Sequence, residues 1–170
     1  MSNLRERLAT YIPRCLSEIT ANLEESYPEQ SIFRFGLSNA CEKAARVLGY
    51  NLQDYNAAYE GDLLFISPIT LEWRDSLHRT LIFDSNMHGY HSEMNGSAKL
   101  RGSGEPIAFK CLHCAGKLFT LQVQLDYYDA IYDLWEDEPE IDIENYFCFF
   151  TLTGSCVACA QKAVITAMNL

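Results

Sequence analysis

Apolar residues in the first fifty positions recur at helical spacing. One set returns every three or four residues, with charged residues between its members: Leu4, Leu8, Ile12, Leu16, Ile19 and Leu23. This spacing predicts a first helix over residues 4 to about 24, which Pro13 either kinks or divides into two parts. Small apolar residues over 40–48, between a cap at Ser38 or Asn39 and a stop at Gly49, predict a second helix.

Beyond residue 60 the pattern changes to alternation and to short apolar runs. Five segments have the alternating, β-branched or continuous apolar pattern of strands: 63–66, 69–73, 80–83, 119–126 and 146–152. Helical spacing returns at 128–135, before Pro139, and the alanine-rich segment 156–168 predicts a C-terminal helix. Residues 84–105 are rich in Gly, Ser and Asn without periodicity, which predicts a long loop that is either functional or mobile.

These elements predict a single α+β domain. A chain of 170 residues fits one domain of ordinary size. We expect N-terminal helices in residues 1–50 to pack on a mainly antiparallel sheet in residues 60–170, which also carry a metal module. No apolar run is long enough to cross a bilayer, and the N-terminus is charged where an export signal is apolar. We therefore expect a soluble, cytoplasmic protein with no membrane partner.

Four of the seven cysteines form two C-x-x-C pairs: Cys111, Cys114, Cys156 and Cys159. The odd cysteine count and the missing export signal argue against the disulfide framework of a secreted protein. In a reducing compartment, paired short-spaced thiols predict a structural zinc ion held by four thiolates, with no open position for catalysis. Two unrelated thiol pairs, or a redox-active C-x-x-C at 156–159, are the alternatives.

The surroundings of the two pairs add a local topology. The first pair lies between strands, with Gly116 available for the turn, and the second pair is expected to begin the C-terminal helix. This pattern resembles the treble-clef-like and zinc-ribbon-like four-cysteine modules over about residues 107–168. The resemblance implies a zinc site that joins the last hairpin to the C-terminal helix. The 41-residue spacer is long for such a module, and no glycine follows Cys159.

Acidic charge is concentrated in one segment. The chain has 13 Lys and Arg against 23 Asp and Glu, and residues 118–161 contain nine of these acids and no Lys, Arg or His. No basic footprint for direct nucleic-acid binding is visible. The acids lie among aromatic residues, which favours a surface for a basic protein partner, although a merely solvated face is the alternative. The predicted partner-binding residues are Asp126, Asp129, Asp133, Glu136, Asp137, Glu138 and Glu140.

No catalytic motif stands out in the sequence. Nucleophile elbows, phosphate-binding glycine loops and H-E-x-x-H are missing from it. We therefore expect a non-enzymatic inhibitor or bacterial immunity protein that neutralises a basic, nuclease-type toxin. The alternative is a metal-dependent enzyme, or a redox- or metal-responsive regulator, that uses the 84–105 loop with His88 and His91.

Overall fold

The fold is described from a computed structural model of the chain. The structure describes residues 4, 19–24, 34–75, 78–89, 100–128, 130–138, 140 and 146–169. For residues 19–24 and 34–42 it describes the backbone alone. Within these residues, no helix combines the length and the apolar character needed to cross a membrane.

The described residues form one sheet of eight strands and two short helices. The strands are β1 (Ile19–Glu24), β2 (Arg34–Asn51), β3 (Phe65–Trp73), β4 (Arg79–Phe83), β5 (Ile107–Ala108), β6 (Phe119–Tyr128), β7 (Phe149–Cys156) and β8 (Lys162–Asn169). The helices are α1 (Leu52–Tyr55) and α2 (Ile131–Asp137).

Strand β2 is the centre of the sheet. The main path runs β4-β3-β2-β6-β7-β8, and β1 and β5 also pair with β2. Every pairing between these strands is antiparallel. The first half of β2 lies between β1 and β6, with Leu37 opposite Leu125, and its second half pairs with β3, with Val47 opposite Leu71.

The predicted N-terminal helices are wrong where the structure describes them. Residues 19–24 of the first predicted helix form β1, and residues 40–48 of the second lie inside β2. Backbone pairing with strands on both sides outweighs the weak helical preference of this alanine-rich segment. Apart from Leu4, which is helical, the part of the first predicted helix before residue 19, with Pro13, lies outside the described residues.

The predicted C-terminal helix is also wrong. Residues 162–169 form β8, which pairs with β7 from Ser155 opposite Lys162 to Phe149 opposite Asn169. Ile165 and Met168 are buried in the core, and β-branched neighbours favour the extended conformation. The described residues are therefore mainly antiparallel sheet with two short helices, not an α+β fold of N-terminal helices on a sheet.

The strands predicted in the middle of the chain are confirmed. β3, β4 and β6 cover the segments 69–73, 80–83 and 119–126, and β7 covers the end of 146–152. Strand β6 alternates as its sequence predicts, with every second side chain buried from Phe119 to Tyr127. The helix predicted at 128–135 is present as α2, which begins at Ile131.

The sheet curls so that its last strand reaches β3. The Thr166 hydroxyl on β8 donates a hydrogen bond of 2.6 Å to the carbonyl oxygen of Phe65 on β3, and both residues are buried. Inside the curl, the ring of Phe109 lies edge-on to the rings of Phe65 and Phe119. These contacts place a packed aromatic core directly beneath the two cysteine pairs.

Candidate metal centre

The four predicted cysteine ligands come together at one end of the sheet. Their Sγ atoms all lie within 4.8 Å of one another. The Sγ atoms of Cys111 and Cys159 are 3.5 Å apart, and those of Cys114 and Cys156 are 3.6 Å apart. Four thiolates in a tetrahedron, each about 2.3 Å from a zinc ion, would have sulfurs about 3.8 Å apart. The quartet is therefore close enough to bind one metal ion.

The first pair lies in a tight turn on the chain between β5 and β6. The amide of Cys111 donates to the carbonyl oxygen of Gly116 at 2.8 Å, and the amide of Ala115 donates to that of Cys111 at 2.8 Å. Ala115 has a φ of 59°, the left-handed conformation that reverses the chain. The turn directs both sulfurs of the pair to the same side.

The second pair lies in an equivalent turn between β7 and β8, not at the start of a helix. The amide of Cys156 donates to Gln161 at 2.9 Å, the amide of Ala160 donates to Cys156 at 2.8 Å, and Ala160 has a φ of 60°. These bonds repeat the first turn position by position. The centre thus joins the turn before β6 to the β7–β8 hairpin, and the expected link between a hairpin and a C-terminal helix is wrong.

Gly116 has a different role from the one that the sequence predicts. The left-handed residue of the first turn is Ala115, so the turn itself does not require glycine at position 116. A Cβ atom at Gly116 would lie 3.1 Å from the Sγ of Cys156 and 3.2 Å from the Sγ of Cys114. The missing side chain therefore leaves room for the sulfurs.

Strands β6 and β7 hold the two hairpins in register. Phe119 pairs with Cys156, and the Val157 amide donates to the Leu118 carbonyl oxygen at 2.9 Å. Cys111 and Cys156 are buried, whereas Cys114 is exposed. One side of the quartet therefore rests on the core, and the other faces solvent.

The pKa values of the quartet's thiols shift in opposite directions. Backbone amides of Cys114 and His113 lower the pKa of Cys111 to about 6. The amide of Gln161 also lowers the pKa of Cys159, but desolvation and the neighbouring sulfurs outweigh it and raise this pKa to about 12. Four thiolates this close repel one another, so full ionisation of the quartet calls for a bound cation.

The predicted partner-binding carboxylates lie toward the opposite end of β6. Asp133, Glu136 and Asp137 are exposed on α2, and Glu138 and Glu140 are exposed just after it. The other face of α2 packs on the core through the buried Ile131 and the partly buried Tyr132, Leu134 and Trp135. Five carboxylates are thus exposed on α2 and the residues after it, and the opposite face of α2 packs on the core.

Two further predicted residues of this surface have different outcomes. Asp126 is half-buried on β6 and accepts a hydrogen bond of 2.9 Å from the Gln124 side chain. Asp129 lies outside the described residues. The described part of the predicted surface is therefore concentrated on α2 and the residues that follow it.

The ends of the 84–105 loop are fixed to each other. Arg101 forms an ion pair of 2.6 Å with Asp84, whose side chain is buried. The Gly102 amide donates to the Ser67 carbonyl oxygen at 2.8 Å, and the Ser85 amide donates to the Ser67 hydroxyl at 2.9 Å. Sequence reasoning missed this arrangement because no local motif connects three segments so distant along the chain.

His88 has a structural contact at this loop base. Its Nδ1 accepts a hydrogen bond of 3.0 Å from the Asp84 amide. Desolvation lowers the pKa of His88, and the charge of Asp84 opposes this only in part. His91, its predicted companion, lies outside the described residues.

In comparisons with known proteins, no family model, curated protein or solved structure matches the chain.

Proposed function

We propose that the cysteine quartet holds a structural zinc ion. The observation that carries this proposal is four sulfurs from two equivalent hairpins, all within 4.8 Å of one another. Zinc favours four thiolates in a tetrahedron, and four protein ligands leave no position for a reacting water. The ion would therefore fasten the β5–β6 turn to the β7–β8 turn.

Metal analysis of the reduced protein tests the zinc proposal. We expect one zinc ion per chain in the wild type. Cys114→Ser should lower the zinc occupancy by about tenfold or more, because a serine hydroxyl is a poor zinc ligand. Cys114 is exposed, so this change does not disturb the core. Cys148→Ser removes a thiol outside the quartet and is the control for the loss of any cysteine. Stoichiometric iron, or no metal at all, would refute the proposed zinc.

We propose further that the chain is a non-enzymatic binding protein whose acidic α2 segment engages a basic protein. Support comes from five carboxylates that are exposed on and just after a helix packed on the core. Residues 118–161 contain no Lys, Arg or His to neutralise them. A field of one sign accelerates the capture of an oppositely charged partner.

The partner class that we propose is a basic, nuclease-type toxin, with the chain as its inhibitor or immunity protein. Nucleases bind phosphates in electropositive grooves, and a rigid acidic surface is complementary to such a groove. Outside residues 118–161 the chain is close to neutral, with 13 Lys and Arg against 14 Asp and Glu.

Charge reversal tests this proposal. The triple variant Asp133→Lys, Glu136→Lys and Asp137→Lys should slow association with a purified cationic nuclease toxin by about tenfold or more at low salt. The matched control reverses three exposed acids elsewhere, Asp54, Glu60 and Asp62, and so changes the net charge equally. Equal association rates for both triple variants would refute a role for the α2 surface, whatever the metal content.

A further inference from the structure

The two cysteine hairpins expose aliphatic side chains to solvent. Leu112 is 71% exposed and Val157 is 47% exposed, and each is the second residue of its C-x-x-C turn. A Cβ at Gly116 would lie 3.6 Å from the Cβ of Ala158, so the two turns lie against each other. We call Leu112, Val157 and the turns that carry them the hairpin tips.

Lysines surround the hairpin tips. Lys110 and Lys117 flank the first turn and Lys162 follows the second, and all three are exposed. Within the described part of the chain, none of them forms an ion pair with a carboxylate. The sequence has no Asp or Glu in 106–125 or 145–170. The hairpin tips therefore have a cationic rim, in contrast to the acidic surface on α2.

The distance between these two charged regions lets them act separately. Strand β6 runs from Phe119, beside the second turn, to Tyr128, close to α2 in sequence. Ten residues of strand extend about 30 Å, several times the Debye length of about 8 Å at physiological salt. The local charge at the hairpin tips therefore decides which partner they attract, despite the net charge of −10.

The side chains at the hairpin tips favour protein over nucleic acid. Neither turn contains an arginine or a Phe, Tyr or Trp, the residues that pair with phosphates and stack on bases. An apolar centre with a charged rim is instead the usual anatomy of a protein interface.

We propose that the hairpin tips are a second docking surface, whose occupant is an acidic protein segment with an aliphatic side chain. The aliphatic side chain contacts Leu112 and Val157, and the carboxylates of the segment pair with the surrounding lysines. This surface is distinct from the acidic surface on α2 and has the opposite charge preference.

Peptide titration of the metal-bound full chain tests the proposal. The probe is a synthetic ten-residue peptide of alternating glutamate and leucine, followed by amide chemical shifts. We expect the shifts to concentrate at residues 111–117 and 156–162. Replacing the peptide's glutamates by glutamine, or its leucines by serine, should weaken binding by about fivefold or more, because both contacts contribute.

Variants of the hairpin tips separate this surface from general stickiness. Leu112→Ser with Val157→Ser should weaken peptide binding by about tenfold while the metal content stays unchanged. Met87→Ser is the matched control, since Met87 is 61% exposed and lies outside the hairpin tips. The proposal is overturned if the control weakens binding equally or if the peptide shifts no hairpin amide at millimolar concentration. Preferential binding of a single-stranded oligonucleotide, or burial of the tips by a second copy of the chain, would also overturn it.

Discussion

At the scale of single residues, the metal centre depends on what is missing at position 116. The Cβ atom of an alanine there would lie 3.1–3.2 Å from two of the four sulfurs. These sulfurs, of Cys156 and Cys114, cannot move away freely. Cys156 pairs with Phe119, and Cys114 lies inside the turn that the Ala115 amide closes by donating to the Cys111 carbonyl oxygen. The glycine thus connects backbone packing directly to the geometry of the ligands.

We predict that Gly116→Ala weakens metal binding by about tenfold, because the displaced sulfurs leave the tetrahedral arrangement. Competition with a chromophoric chelator measures the affinity. Ala160→Gly is the control, because it changes the other turn without adding an atom. The left-handed conformation costs an alanine about 1–2 kcal/mol, and glycine removes this cost. An alanine variant that binds as tightly as the wild type would contradict this role of Gly116.

A second residue-scale prediction concerns His88 and pH. Its Nδ1 accepts the Asp84 amide, and burial lowers its pKa in the folded protein. As the pH falls, the His88 imidazole therefore becomes protonated at a higher pH in the unfolded chain than in the folded protein. The contribution of neutral His88 to the free energy of unfolding is complete above pH about 6.5. It is lost progressively as the pH falls from there toward the pKa of His88 in the folded protein.

The measurement for His88 is the free energy of unfolding at pH 7.5 and 5.5. His88→Asn keeps a side-chain acceptor but removes the titration, so the wild type should lose more stability than this variant on acidification. The nearby charged groups are Asp84 and its partner Arg101, which remain in both proteins. An identical pH response in the two proteins would show that His88 does not contribute.

At the scale of elements, closure of the sheet rests on one buried hydroxyl. Thr166→Val keeps the shape of the side chain but leaves the Phe65 carbonyl oxygen without the Thr166 donor. We expect a loss of about 1–3 kcal/mol in the free energy of unfolding, measured by denaturant titration. Thr151→Val, at a half-buried position on β7, should change stability by less than about 0.5 kcal/mol. Equal effects would mean that the link from β8 to β3 adds nothing.

The same scale explains which elements could be predicted from the sequence. Strand β6 was predictable because its buried and polar positions alternate without interruption. Segment 19–24 also alternates, with Ile19, Ala21 and Leu23 at every second position, but Ile19 and Leu23 fit helical spacing equally well. Pairing with β2 decides between these readings, and such long-range pairing leaves no trace in a local window.

The candidate metal centre was easier to predict than the fold around it. Two C-x-x-C pairs specify four sulfurs whatever the flanking elements are. The sequence therefore predicted that the four cysteines lie together, but not the element after Cys159. The alanines of 156–168 suggested a helix, but Ile165 and Met168 are needed in the core of the curled sheet. Local chemistry was therefore readable, whereas tertiary burial was not.

At the scale of the whole molecule, an ion in the quartet would connect two turns that 40 or so residues of chain separate. The β6–β7 pairing already brings the turns together, from Phe119 opposite Cys156 onward. The ion would add to this pairing by replacing repulsion among thiolates with attraction to one cation. Its contribution to stability should therefore be greatest at the hairpins and should fade along β6 toward α2.

Chelation of the metal should consequently loosen one end of the protein and spare the other. Hydrogen exchange with and without a chelator, in reducing buffer, should show lost protection at residues 111–117 and 156–162 and in the adjoining ends of β6 and β7. The pairs between β2 and β3, such as Val47 with Leu71, serve as the internal control because they lie in a different part of the sheet. Uniform loss of protection would mean that the ion supports the entire fold, and unchanged exchange at the hairpins would mean that strand pairing alone holds the quartet together.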